Sequence, residues 1–447
     1  MRVPIPGNAR NFSRRATASA FSANADAFLR MQGAALGPVV RFQPRGCFAL
    51  EESRLRNALR AWSLCVLLAS GCATTSAVRE SPPVPDVAAL DAEAARAMSA
   101  TGAKGLAIAV IDNGRVVATR AYGARDAKGE PLRTDTVMYG ASITKTVFAY
   151  LVMQLADEKR IDLDTSISKY LDKPLPEYPD EDRYSTWSHL AGDERWRDIS
   201  PRVLLTHSAG FANFGFLEPD ERLRIHFAPG SRFAYSGDGI ILMQFVLERG
   251  LGLDVGAEMQ RRVFDRFGMR TTSMMWRPDF AQNLADGWKL DGSVEPHDER
   301  SRVRAAGSMD TTLDDLSRFA AALVSGEGLS PELFARMTSP QLPITTQSQF
   351  PTLQDELPPE SRRKDLAAGL GVVVFDGPQG RGFFKNGHND STANTLVCLP
   401  RGRRCVLILS NDVRAEPAYP HLVRFVLGEA GVPWDWEYGH MSFWDGR

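Results

Sequence analysis

Apolar positions along this chain alternate between two periods. Leu106–Asp112 and Arg115–Tyr122 are β-rich runs joined by Asn113-Gly114. Asn-Gly between two such runs predicts a hairpin, because both turn residues need positive φ. A second hairpin is expected near the other end, from Thr395–Leu399 and Cys405–Asn411 around Pro400-Arg401-Gly402-Arg403. Helical spacing appears after Asp86, a candidate N-cap, with Val87, Leu90, Ala94 and Met98 near one face. It returns in Val147–Leu155, Ile240–Leu247 and about Pro417–Glu429. Strands at both chain ends with helices between them predict an α/β (α+β) fold. One antiparallel sheet is assembled from both ends and flanked by helices, with a mainly helical lobe inserted over roughly 150–300. There is no internal repeat. Asp172–Asp198, rich in Pro, Asp, Glu and Trp, and Pro340–Lys364, with five Pro, read as long loops of the kind that often form functional rims or lids.

The first 71 residues read differently. Residues 1–53 mix Arg, Ser, Ala and Pro without a sustained period, as a leader or as codons upstream of the true start. Arg54, Arg56 and Arg60 then precede the apolar run Ala61–Ala69 and Ser70-Gly71-Cys72. A basic stretch, a short apolar core and small residues form a secretory signal. Cys72 after Ala-Ser-Gly resembles a bacterial lipoprotein signal, which implies acylation of Cys72 as the new N-terminus. Such signals prefer Leu three positions before the Cys; Ala69 stands there, with Leu68 one step earlier. Ordinary secretion, or a buried helix with a chance Cys, are the alternatives. Residues 72–85, with Ser81-Pro82-Pro83-Val84-Pro85, read as a tether, 86–432 as one domain and 433–447 as a tail. Export to the periplasm or cell envelope follows, with membrane contact only through a lipid at Cys72.

Composition narrows the function classes. Lys plus Arg total 53 against 54 Asp plus Glu, which offers no basic footprint for nucleic acid. The leader holds ten Arg and three acidic residues, so the remainder carries 43 basic and 51 acidic residues and is mildly acidic. No apolar run reaches about 18 residues, which argues against a spanning helix. Five Cys are too few for a disulfide-built scaffold, and seven His without HExxH or paired CxxC spacing give no readable metal site. No cofactor is implied. With Arg401-Gly402 as the central turn residues, Cys398 and Cys405 fall opposite each other; in an oxidising compartment they could bond, or remain two independent strand residues.

Three motifs carry candidate chemistry. Ser142-Ile143-Thr144-Lys145 opens an apolar helix, and i, i+3 spacing brings Ser142 Oγ and Lys145 Nζ onto one face. The serine lies in the first turn, where free N–H groups and the helix dipole favour an anionic intermediate. S-x-x-K alone is weak, and a second copy, Ser166-Ile167-Ser168-Lys169, lacks an apolar helix behind it and reads as a surface turn. Tyr235-Ser236-Gly237 precedes another apolar helix and can aim a hydroxyl into a cleft; the plainer reading is a structural Tyr in a Gly-rich turn. Lys385-Asn386-Gly387, followed by His388, is the one K-x-G in a chain with nine Lys; alone it reads as a solvated strand end.

In this order the motifs resemble the serine β-lactamase and penicillin-binding protein superfamily, and the Tyr motif points to its class C and esterase-like branch. The likeness covers about 88–430, since Leu204–Phe211, Phe267-Gly268-Met269, Ala306-Gly307-Ser308 and Thr311–Leu316 match linking phrases of the family. The resemblance implies a β-lactamase/transpeptidase-like fold and a serine hydrolase acting through an acyl-enzyme on a small-molecule or peptidoglycan-like ester, amide or β-lactam; the sequence leaves the oligomeric state open, with a monomer favoured. Ser142 would be the nucleophile, with Lys145 and Tyr235 as its activating pair. Lys145 and Lys385 would flank Tyr235 and lower its pKa. Lys385 could hold a substrate carboxylate, beside Gly387, and the amides of Ser142 and His388 would form the oxyanion hole. The loop around Trp187 and Trp196 would rim the cleft.

The chain departs from the family at Gly237, where β-lactamases of this branch carry Asn, which counts against efficient β-lactam hydrolysis. His388-Asn389-Asp390 offers a competing H-x-G-like register, disfavoured because Asp390 is not small. An α/β-hydrolase would need G-x-S-x-G, and Gly140–Thr144 fails at the last position. A Ser–His pair using His207 or His388 stays open, with His207 read as structural. The alternative from another class is a non-catalytic penicillin or peptidoglycan sensor on the same fold.

Overall fold

The computed structural model describes residues 79–439 and 441–447. Cys72, the leader and the first part of the tether lie outside the described residues. Around Asn113 (φ 51°) and Gly114 (φ 74°) the first hairpin forms from β1 (Gly105–Asp112) and β2 (Arg115–Gly123). Four short strands follow: β3 (Met138–Tyr139), β4 (Gly287–Trp288), β5 (Val294–Glu295) and β6 (Asp310–Thr311), pairing β3 with β6 and β4 with β5. The rest are β7 (Leu342–Pro343), β8 (Leu366–Ala368), β9 (Val373–Gly377), β10 (Gly380–His388), β11 (Ala393–Leu399) and β12 (Arg404–Ser410). The main sheet has eight strands in the order β2-β1-β12-β11-β10-β9-β8-β7, all neighbours antiparallel. Both chain ends meet where Ala107 faces Leu409 and Ile111 faces Cys405.

Side chains alternate across a strand, so each strand serves two cores. Ala107, Ala109 and Ile111 of β1 face one way with Phe383, Leu396 and Leu407. They pack with the helical lobe and its helix α2 (Ile143–Asp157). Leu106, Ile108 and Val110 face the other way with Phe384, Val397 and Val406. That face is covered by α1 (Val87–Thr101) and by a C-terminal helix, Tyr419–Leu427. Asp86 caps α1 by accepting from the Ala89 amide, and Leu90, Ala94 and Ala97 form its buried stripe. Val87, expected on that stripe, is 37% exposed because the buried line is shifted toward Ala97.

Between β3 and β7 the chain adds α2, α3 (Pro201–Leu205), α4 (Gly237–Phe245), α5 (Val255–Met259), α6 (Leu313–Val324) and α7 (Pro331–Met337). The C-terminal pair is α8 (Tyr419–Leu427) and α9 (Trp434–Tyr438). Cys398 and Cys405 are paired in register and joined as a disulfide. Trp187 and Trp196 do not rim anything: both are buried, and Trp187, Tyr178 and Tyr184 pack edge-on around Phe245. Their large apolar rings are core material that the surrounding acidic residues disguised.

The segment after 432 also packs rather than trailing away. Trp436 is fully buried, stacks edge-on with Phe233 and donates through Nε1 to Thr346 Oγ1 at 3.2 Å. Residues 79–82 lie against the domain as well, with the Arg79 amide donating to Pro378 O. Trp436→Ala is expected to lower stability by about 3–5 kcal/mol; urea unfolding of the variant against wild type measures it, and a change below 1 kcal/mol would show that the segment is dispensable.

Candidate active site

The turn that starts α2 is built under constraint. The amide of Gly140 donates to Met309 O (2.9 Å), next to the β3–β6 pair, and Asn394 Nδ2 of β11 donates to Tyr139 O (2.9 Å). Ala141 then takes φ of 45°, a left-handed conformation that costs a residue with a Cβ. Ser142 follows at the N-cap, yet its hydroxyl caps no amide. An N-cap serine ordinarily bonds the amides two or three residues on; here Oγ turns to Lys145 Nζ, 3.0 Å away. The Ser142 amide has no protein acceptor among the described residues.

Lys145 is 2% exposed, and its Nζ also donates to Ala306 O at 2.5 Å. Burial, with the Lys385 and Arg304 cations in support, pushes its pKa well below the usual lysine value. Burial without a carboxylate partner favours the neutral amine over the ammonium, beside the serine hydroxyl.

Tyr235 reaches Ser142 with its hydroxyl from the loop before α4. Lys145 and Lys385 do flank its ring, each Nζ 5.1 Å from the centroid. The expected lowering of its pKa is not realised: burial raises it and outweighs the hydrogen bond from Ser142, so the phenol keeps its proton. His207 lies under this ring at 4.5 Å, and its Nδ1 accepts the Ser236 amide (3.2 Å). Burial, first, and any positive charge on the neighbouring lysines push its pKa well below the usual histidine value, and its ring supports the Tyr loop.

Strand alternation decides between Lys385 and His388. Lys385 shares a face with Phe383, toward the helical lobe, and Gly387 is on that same face. A Cβ on Gly387 would lie 2.7 Å from the Ser142 nitrogen and 2.8 Å from that of Ile143, so only glycine lets the strand approach α2 this closely. The His388 side chain is on the opposite face, with Nδ1 3.4 Å from Glu416 Oε1. Its amide is another matter. Asn389 N–H bonds Thr392 O, so by alternation the His388 N–H points away from β11, and β9 pairs with β10 only up to Phe384. That amide lies outside both ladders, one residue beyond the glycine that meets Ser142. The second S-x-x-K forms no such pair: Ser166 caps a single turn and bonds Arg197 O and Ser168.

Four further residues at the site were not singled out as site residues from the sequence. Ala306 supplies only a carbonyl. Phe350, from the Pro-rich loop, packs edge-on to Tyr235 at 5.4 Å. Glu437 and Tyr438 come from α9: Glu437 Oε2 accepts from Gln349 Nε2 (2.5 Å), and Asn386 Nδ2 donates to Tyr438 Oη (3.0 Å). Burial brings Lys385 down to about 8 while the Glu437 carboxylate opposes the fall, and burial lifts Glu437 to about 7. Among the described residues no cluster of three or more His, Cys, Asp or Glu could hold a metal ion.

The family model described as Beta-lactamase matches residues 90–428. Esterase EstB of Burkholderia gladioli is 27% identical over 197 residues, 41% of this chain and 50% of that protein. Lovastatin esterase of Penicillium rubens is 27% identical over 200 residues, 39% and 49% of the two chains. The match thus spans about half the length of each relative. Among solved structures, D-alanine carboxypeptidase AmpC from Burkholderia cenocepacia shares the fold with a TM-score of 0.59 at 19% identity, over 76% of this chain and 97% of that one.

The Glu437 carboxylate favours the Lys385 ammonium, so removing it must lower the pKa at which Lys385 deprotonates. With nine lysines in the chain, a carbon-13 lysine titration by NMR is sparse enough to follow. Lys385 is expected to titrate near pH 8 in wild type and at lower pH in Glu437→Gln; an unmoved midpoint would remove Glu437 from the electrostatics of the site.

Proposed function

The chain belongs to the beta-lactamase family, and we propose that it is a serine hydrolase that cleaves esters through an acyl-enzyme on Ser142. The observation that carries this reading is the 3.0 Å contact of Ser142 Oγ with Nζ of the buried Lys145, whose pKa burial pushes well below the usual lysine value. Lys145 takes the hydroxyl proton as Oγ bonds the substrate carbonyl carbon. The carbonyl oxygen becomes an oxyanion, stabilised by the amides of Ser142 and His388. The neutral Tyr235 phenol passes a proton to the leaving oxygen and is reprotonated from Lys145, so the alcohol departs and the acyl–Ser142 ester remains. Water, deprotonated by the same pair, attacks that ester, releasing the acid and restoring the Ser142 hydroxyl.

Lys385, cationic below about pH 8, stabilises negative charge beside Tyr235, or a carboxylate on the substrate. Gly237 removes the side-chain amide that β-lactamases of this branch carry, which favours ester over β-lactam turnover. Ser142→Ala is expected to reduce turnover of p-nitrophenyl acetate by at least about 10³-fold, with D-alanyl amides and a chromogenic cephalosporin as the comparison substrates. Unchanged ester hydrolysis in that variant would overturn the assignment, and stoichiometric labelling by a fluorescent penicillin without turnover would favour a sensor.

The Cys398–Cys405 disulfide supports an oxidising compartment, and the Cys72 motif supports a lipid anchor there. Mass spectrometry of the membrane fraction is expected to find an acylated Cys72 N-terminus, and Cys72→Ala to move the protein to the soluble fraction; a membrane-bound Cys72→Ala protein would count against the anchor.

A further inference from the structure

The place vacated at Gly237 is filled from another part of the chain. A Cβ on Gly237 would lie 2.3 Å from both Cε1 and Cζ of Phe214, so this ring occupies the volume of a side chain at 237. Phe214 is held there on both sides. The Gly237 amide donates to Asn213 O (2.7 Å), and the Gly215 amide donates to Asp238 Oδ2 (2.6 Å). Phe216 stacks on Phe214 with centroids 5.2 Å apart and planes within 11°, and is 42% exposed. On another side of Tyr235, Phe350 packs at 5.4 Å and reaches His388 at 6.4 Å. Phe350 therefore stands at the Tyr235 ring, and the Phe214–Phe216 pair at Gly237, two residues further along the chain.

Several polar groups along this wall bond within the protein. Asp238 accepts from Ser185 Oγ through one oxygen and from the Gly215 amide through the other. Asn213 Oδ1 takes the Gly237 amide at 3.0 Å. Ser236 Oγ bonds Ala212 O and the Gly239 amide. A substrate group entering here exchanges water for aromatic carbon and gains by burial rather than by hydrogen bonding.

We propose that Phe214 and Phe216, with Phe350 across Tyr235, form a subsite for an apolar group beside the scissile carbonyl, so that the substrates are esters of hydrophobic acids or hydrophobic alcohols. This rests on the acyl-enzyme reading and adds the substrate class to it. Two ester series separate the acid from the alcohol. One holds p-nitrophenol as leaving group and lengthens the acyl chain from acetate to octanoate; the other holds acetate and lengthens the alcohol. Burying one methylene changes an equilibrium by about fourfold. In one of the series kcat/KM is expected to climb by about that factor per methylene over the first few carbons. Phe216→Ala should cut the ratio of hexanoate to acetate, or its counterpart for the alcohols, by at least tenfold, and Phe216→Leu should restore part of it.

An ω-carboxylate ester of equal length should be the poorer substrate. The proposal is overturned by a flat response in both series, by a slope that survives Phe216→Ala, or by preference for the carboxylate ester. Ser142→Ala keeps the two claims apart. If it abolishes turnover while the slopes are flat, the subsite alone fails; if turnover survives it, the acyl-enzyme reading fails.

Discussion

The close approach of strand β10 to the first turn of α2 is the constraint on which the site depends. At Gly387 the two backbones are so near that a single Cβ would sit 2.7 Å from the Ser142 nitrogen. That contact joins the sheet assembled from both chain ends to the inserted helical lobe. It brings the strand end that carries the His388 amide to the Ser142 turn and leaves Lys385 beside Tyr235. The strained Ala141 and the bond from Gly140 to Met309 O hold the helix start in that position. Ser142 is then freed from capping, and its hydroxyl meets Lys145 one turn along.

Desolvation sets the chemistry of that meeting. Charged lysine is disfavoured where water is excluded and no carboxylate stands opposite; Lys145 is such a case, its Nζ bonded to Ala306 O and Ser142 and set over the Tyr235 ring. The same burial keeps the proton on Tyr235. Burial thus pushes both groups toward their neutral forms, amine and phenol, against what a charge argument would favour. Lys385 differs because Glu437 lies near enough to support its charge. Burial thus lowers both lysines, and α9 supplies the Glu437 carboxylate that opposes the fall at Lys385.

Much of this was legible in the chain. Asn113-Gly114 marked its hairpin because no other common pair takes two positive φ values so readily. Cys398 and Cys405 were set opposite each other by a two-residue turn. Ser142 and Lys145 are three apart on a helix, so local geometry alone brought them together. The sequence reading failed where burial overrode composition. Trp187 and Trp196 lie in an acidic, Pro-rich stretch, yet their rings belong to the core. Tyr235 was expected to lose its proton to two nearby cations, and the cost of burying the anion is larger. Glu437 and Phe350 carried no signal, since neither belongs to a motif and each reaches the site only through contacts with distant segments.

By itself, then, the sequence determined what short range can determine: the periods of strands and helices, the turns, the spacing that pairs a serine with a lysine, and the small residue at 387. The tertiary structure alone decided which side of β10 faces the serine, and so why Lys385 and not the His388 ring joins it. It also decided the protonation of Lys145 and Tyr235 and the filling of the space beside Gly237 by Phe214. These depend on packing between segments far apart in the chain, because exclusion of water is a property of the assembled interior and not of any local pattern.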